Sequence, residues 1–145
     1  MLSLQEISDR LEIEDLMVRY SHAVDTQRWA LLDEIFTEDA HIDYSAMGGP
    51  AGDLESTKKF LSTVMPNFLA FQHLISNSSI SVDGDSATGR TMCHNPMLVS
   101  TGEGQQSLML CGLWYHDTFA RIDGRWRIKQ RVEEKSFMFV APGSA

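Results

Sequence analysis

The strongest constraint on this chain is a change of texture near Phe71. Before it, apolar residues recur at three- and four-residue steps, the signature of helices with one buried side. After it come long alternating runs punctuated by Asp83-Gly84 and Asp123-Gly124, and Asp-Gly between strand-like runs is a strong hairpin signal. Helices followed by a meander of about four strands make an α+β pattern. The 145 residues, 43% of them hydrophobic, suit one globular domain over residues 1–140, with a frayed, flexible tail at 141–145.

Ser3-Leu4-Gln5-Glu6 has the form of a capping box, so a first helix should begin there. Its apolar stripe takes in Leu4, Ile7, Leu11, Ile13, Leu16, Met17, Tyr20, Ala23 and Val24, which turns Tyr20 inward. Asp25 lies about 140° around an ideal helix from Tyr20, so the two converge only if the helix ends or bends near Val24. Asp25 could equally cap a second helix, with Trp29, Leu32, Ile35 and Phe36 on its buried side.

Ala40 to Tyr44 alternates with period two, as a strand with Ala40, Ile42 and Tyr44 on its inner face. The Gly- and Pro-rich run 47–52 is a loop long enough to cover a pocket mouth. A third helix follows from about Asp53, with Leu54, Leu61, Val64 and Met65 inward and Pro66 at its end.

Within the strand expected from Phe71 to Val82, alternation puts Phe71, His73, Ile75 and Asn77 on one face. On the next strand Ala87, Gly89, Thr91, Cys93 and Asn95 share a face whose small or polar character leaves room for a ligand, until Pro96 interrupts it. Further on, Met109, Cys111, Leu113 and Tyr115 oppose Leu110, Gly112, Trp114 and His116, and either set could face the pocket. His73 is either a structural imidazole or, with Asp25 and Tyr20, part of a proton-moving site. Strict alternation from Trp126 puts Arg131 on the opposite face, where a surface ion pair is its simple role. Lys129, Glu133, Glu134 and Lys135 read as a solvated or subunit-facing charge ladder.

A net charge of -8 argues against a nucleic-acid partner, because binding phosphates relies on Lys and Arg. Cys93 and Cys111 form no CxxC, and no His pair has the spacing of a zinc motif, so neither metal nor cofactor is expected. No window approaches the ~20 apolar residues of a membrane span, so the expected location is cytoplasmic.

Taken together, Ile13-Glu14-Asp15-Leu16, Arg19-Tyr20, Ala23-Val24-Asp25, Trp29, Leu32, Phe36 and Asp39-Ala40 resemble the opening of the SnoaL-like branch of the nuclear-transport-factor-2-like (cystatin-like α+β) superfamily. Gly112, Tyr115, Phe119, the run Asp123-Gly124-Arg125-Trp126-Arg127-Ile128 and Arg131 resemble its final hairpin. The resemblance implies a cone-shaped barrel, with a curved, mostly antiparallel sheet wrapped against about three helices. Its nearest look is to scytalone dehydratase, bile-acid 7α-dehydratase and hexachlorocyclohexane dehydrochlorinase.

Carried over by position, that resemblance implies His73 as base, Asp25 as its partner, Tyr20 as the helix tyrosine of the dehydratases and Arg131 as an electrostatic stabiliser. Trp29, Tyr44, Phe71, Asn77, Thr91, Cys93 and Asn95 are then the candidate substrate-binding residues. The activity implied is a lyase reaction on a small hydrophobic or polycyclic substrate. An isomerase, a polyketide cyclase or a non-catalytic binding or assembly module are the alternatives on this fold. A homo-oligomer is implied as well, a trimer ahead of a dimer.

Overall fold

In a computed structural model of the protein, residues 1–102 and 104–141 are described. Helix α1 spans Leu4–Asp25 and opens with the capping box: Glu6 N–H donates to Ser3 Oγ at 3.2 Å, and Ser3 N–H donates to Glu6 Oε2 at 2.8 Å. Its buried face runs from Ile13 through Leu16, Met17, Tyr20, Ala23 and Val24. Leu4, Ile7 and Leu11 are exposed, so the apolar stripe begins later than its spacing predicts. In that first stretch Asp9 is the buried residue, held by both Arg121 terminal nitrogens at 2.7 and 3.0 Å and by Trp126 Nε1 at 3.1 Å.

The second helix is shorter than expected. A 3₁₀ turn at Trp29–Leu31 leads into α2, Leu32–Ile35, and the chain then extends into β1, Phe36–Asp43. Phe36 belongs to β1 because it pairs with Ile128 of a neighbouring strand, and that pairing overrides the helical spacing. After a 3₁₀ turn at Ser45–Met47 come β2, Ala51–Gly52, and α3, Leu54–Val64, whose N-terminus Asp53 caps through the Ser56 N–H at 2.8 Å. Pro66 sits in the first positions of a 3₁₀ turn that follows α3, where its missing N–H costs nothing.

The remaining strands are β3, Ala70–Phe71; β4, Leu74–Asp83; β5, Ser86–Gly102; β6, Gln105–Ile122; and β7, Arg125–Val140. They form a curved, unclosed sheet in the order β2-β1-β7-β6-β5-β3, with β4 also on β5. Only β1 with β7 is parallel among these pairings. The three helices pack against the concave side, so the core lies between α1 and the inward faces of β1 and β5–β7.

Bulges shape this sheet and reset which way its residues face. Lys129 is the extra residue between the Thr118–Gln130 and Phe119–Ile128 pairs, and it turns Arg131 and Glu133 inward where unbroken alternation would turn them out. A second irregularity at Asn77 separates Ser76 and Ser78 in the pairing of β4 with β5, and Asn77 has a left-handed φ of 42°. Pro96, by contrast, does not interrupt β5. Its carbonyl accepts from Gln72 N–H, so its nitrogen faces the same side, where β3 has ended and β4 has not begun and no ladder donor is required.

Candidate functional site

His73 lies in the two-residue break between β3 and β4 rather than within one continuous strand. Its main-chain N–H therefore has no ladder partner and donates instead to both oxygens of Asp25, at 3.2 and 3.0 Å. Asp25 is the last residue of α1, so the helix ends where its side chain must reach the sheet. The same carboxylate sits 2.6 Å from His73 Nδ1. On the ring's other side, Nε2 is 3.0 Å from Asn95 Nδ2 on β5. An ionised carboxylate can only accept, so Nδ1 carries the proton, directed at Asp25, and in the neutral ring the lone pair lies on Nε2. This is the neutral tautomer that a general base needs.

The ring opens on a cavity of about 160 Å³. Tyr20, Tyr44, His73, Asn95, Cys111, Tyr115 and Glu133 supply its polar groups, and Met47, Leu61, Val64, Phe68, Leu113 and Met109 are among its apolar wall. The Tyr20 and Tyr44 hydroxyls lie 2.6 Å apart, and burial raises the pKa of both phenols. The Arg131 guanidinium lies in the corner made by the edge-to-face Tyr20 and Tyr115 rings, 4.1 and 3.9 Å from their centroids. Arg131 Nε and Nη2 bind the two oxygens of Asp117 at 2.8 and 2.9 Å, with both side chains fully buried. Burial works against that charge, but the Asp117 carboxylate keeps Arg131 ionised.

Several expected residues lie elsewhere. Arg131 is no surface ion pair, and it stands behind Tyr20 and Tyr115 rather than on the cavity wall. Trp29 lines an outer groove with Asp33, Glu55 and Lys58, because the 3₁₀ turn carries it away from the cavity. Phe71 flanks His73 edge-on, 6.4 Å between ring centroids, but faces a separate groove beside Asp25. Asn77 is exposed, since the bulge breaks the alternation that would have turned it inward. Thr91 and Cys93 do face inward, yet core side chains fill the space above them. Thr91 Oγ1 is 3.0 Å from Ser78 Oγ, and a Cβ on nearby Gly89 would meet the Phe119 ring at 3.0 Å. Burial pushes the Cys93 thiol up to about 12, which removes it as a nucleophile. Of the two β6 sets, Met109, Cys111, Leu113 and Tyr115 face the cavity.

Two residues of consequence are not among the expected site residues. Asp117 supplies the counter-charge to Arg131, and Glu133 lines the cavity instead of a charge ladder. Although part of Glu133 reaches solvent, its Oε2 is sealed from water and has no hydrogen-bond partner among the described residues. Burial pushes its carboxyl up to about 8, against the opposing pull of Arg131. Asp117 shares the parity of Leu113 and Tyr115, so alternation along β6 turns it inward with them, whereas Glu133 is turned inward by the extra residue Lys129 in β7.

Ala141, expected to be frayed, donates its N–H to Leu108 O at 2.8 Å; the rest of the expected tail, 142–145, lies outside the described residues. Among the described residues no helix is long and apolar enough to cross a membrane, and no group of three or more His, Cys, Asp or Glu is placed to hold a metal.

The chain matches the SnoaL-like domain over residues 5–132. It is 51% identical, over 94% of its length and 92% of the relative's, to uncharacterized protein Rv2910c of Mycobacterium tuberculosis H37Rv. Among solved structures it is similar to a provisionally named scytalone dehydratase from Novosphingobium aromaticivorans, with 25% identity, a TM-score of 0.77 and coverage of 92% of this chain and 87% of that one. It also shares its fold with hexachlorocyclohexane dehydrochlorinase LinA-type3 from Novosphingobium barchaimii, at 21% identity and a TM-score of 0.81, covering 94% and 92%. The chain thus belongs to the SnoaL-like domain family and has the nuclear-transport-factor-2-like fold.

Proposed function

We propose that this protein is a cofactor-independent lyase that eliminates water or a related leaving group from a small apolar substrate, with His73 as base and Asp25 as its partner. The observation that carries this reading is the Asp25–His73 contact at 2.6 Å, with the imidazole opening on an apolar cavity. In the proposed reaction Nε2 takes a proton from a carbon beside an activating carbonyl. Asp25 holds the tautomer and stabilises the imidazolium that forms. Asn95 must yield Nε2 to the substrate, and the Tyr20–Tyr44 hydroxyl pair orients the substrate's oxygen. Resemblance to proteins named as a dehydratase and a dehydrochlorinase supports an elimination.

Cavity size narrows the substrate. A space near 150 Å³ holds about one benzene ring, so 160 Å³ favours a single-ring compound over a polycyclic one. The test is a panel of one-ring β-hydroxy ketones, 3-hydroxycyclohexanone first, followed by the ultraviolet absorbance of the unsaturated ketone. We expect enzyme-dependent loss of water that His73→Ala abolishes. Absence of elimination across the panel, or turnover unaffected by His73→Ala, rejects the proposal.

A further inference from the structure

Resting on the lyase reading above, we propose that Glu133 is the general acid of this cavity, delivering the proton with which the substrate's hydroxyl leaves as water. At this cavity His73, Tyr20 and Tyr44 are already committed to partners. His73 Nδ1 is engaged by Asp25, and Nε2 by Asn95. Tyr20 and Tyr44 are bonded to each other, so one of their two protons is spent within the pair. Two buried oxygens of residues that line the cavity have no partner among the described residues, Asn95 Oδ1 and Glu133 Oε2. The amide oxygen can only accept, whereas a carboxyl can donate. A buried polar atom without a protein partner is costly, and a hydrogen bond to a substrate oxygen would relieve that cost.

Acidity separates Glu133 from the phenols. Burial holds its carboxyl protonated at neutral pH, at about 8, while the same burial drives Tyr20 and Tyr44 above the ordinary phenol range. A general acid works best with a pKa near the working pH, which favours Glu133 over either tyrosine. Base and acid also come from different walls, His73 beside β5 and Glu133 on β7, with β6 between them.

The step balances. His73 Nε2 takes the proton on carbon, and the C–H electron pair becomes the new C=C bond. The C–O bond breaks with its electrons on oxygen, which takes the Glu133 proton and departs as water. Imidazolium and carboxylate remain, and transfer of one proton between them through solvent restores both. The charged and titratable groups facing Glu133 are Tyr20 from α1, Asp43 and Tyr44 from the end of β1, Cys111 and Tyr115 from β6, Arg131 from β7 and His73 from the β3–β4 break. The phenols and Cys111 are raised by burial, and Arg131 stays charged.

Two measurements test the assignment without the natural substrate. The first is ¹³C NMR of glutamate carboxyls in the full chain, where one resonance should titrate near pH 8 and be missing from Glu133→Gln. The second is binding of 2,4-dinitrophenolate, a one-ring anion throughout the range used, whose oxygen needs a protonated partner. Its affinity should fall about tenfold between roughly pH 7 and 9 in the wild type and in His73→Ala, and stay level in Glu133→Gln. A carboxyl titrating with ordinary glutamates, affinity retained at alkaline pH, or no binding at any pH overturns the assignment. These readouts do not require His73, so failure of the dyad and failure of Glu133 are told apart.

Discussion

Asp25 holds His73 in two places, with Oδ1 2.6 Å from the ring and both oxygens within 3.2 Å of the main-chain N–H. One carboxylate thus fixes the backbone at the strand break and the tautomer of the imidazole. The two functions separate by substitution. Asp25→Asn keeps an oxygen for the main-chain N–H but sets an amide against Nδ1. We expect turnover to fall roughly 10⁴-fold, by analogy with an Asp-to-Asn change in a triad, with stability altered by only about 1 kcal/mol. Asp25→Ala loses both contacts and should cost about 2–3 kcal/mol more in urea unfolding. Equal destabilisation by the two variants would argue that the carboxylate does not anchor the backbone.

The Arg131–Asp117 pair should behave as an all-or-none unit. Removing one partner strands a buried charge, so Asp117→Leu and Arg131→Met should each cost about 3–5 kcal/mol. The double variant Asp117→Leu with Arg131→Met should recover much of that loss, because neither charge remains to be desolvated. Additive losses in the double-mutant cycle would contradict this.

Glu133 gives stability a particular pH dependence. Its carboxyl is raised from 4.5 in the unfolded chain to about 8 in the folded one, so within that window the native state binds more protons. The contribution is complete below the lower value and is lost as pH rises through the upper one. Urea midpoints should therefore decline across the window in the wild type, and Glu133→Gln should flatten the decline. Asp9 acts in the opposite sense. Arg121 lowers its carboxyl, so its contribution is present above 3.8 and disappears on acidification.

Association should involve the end of β7. Phe137, Met138, Phe139 and Val140 are 47, 42, 54 and 53% exposed, an apolar run that water does not favour. Phe137 lies across Gly112, where a Cβ would meet its ring at 2.2 Å, and Met138 borders the cavity. A second copy seated here would cover both. Light scattering should give a mass above 16.3 kDa, a trimer being expected, and Phe139→Lys should shift it to the monomer. A wild-type monomer at micromolar concentration would exclude this.

The α+β order, the capping box and the inward face of β5 were legible because each rests on local spacing, whereas the two faces of β6 are alike in sequence and only its place in the sheet decides between them. The reach of spacing ended where a tertiary pairing overrode it. Phe36 looks helical in sequence and becomes a strand residue by pairing with Ile128, while Leu4, Ile7 and Leu11 repeat at helical steps but stay exposed. At the site, Asp25 meets His73, His73 meets Asn95 and Tyr20 meets Tyr44, contacts between distant stretches that no local spacing specifies. Arg131, Glu133 and Asn77 were misplaced for one shared reason, since alternation counted from one end of a strand is silent about an extra residue.

Lys129 separates the curvature of β7 from its chemistry. Both pairs that flank it, Ile128 with Phe119 and Gln130 with Thr118, are already in the register that an uninterrupted ladder would have. Deleting Lys129 alone would straighten the strand while leaving Ile128, Arg131 and Glu133 facing the interior. Adding a single residue between Arg131 and Glu133 would do the reverse and send the carboxyl out to solvent. Along this strand, tolerance to a change of length is thus a matter of position: at Lys129 evolution can bend the wall of the cone without rewriting what lines it.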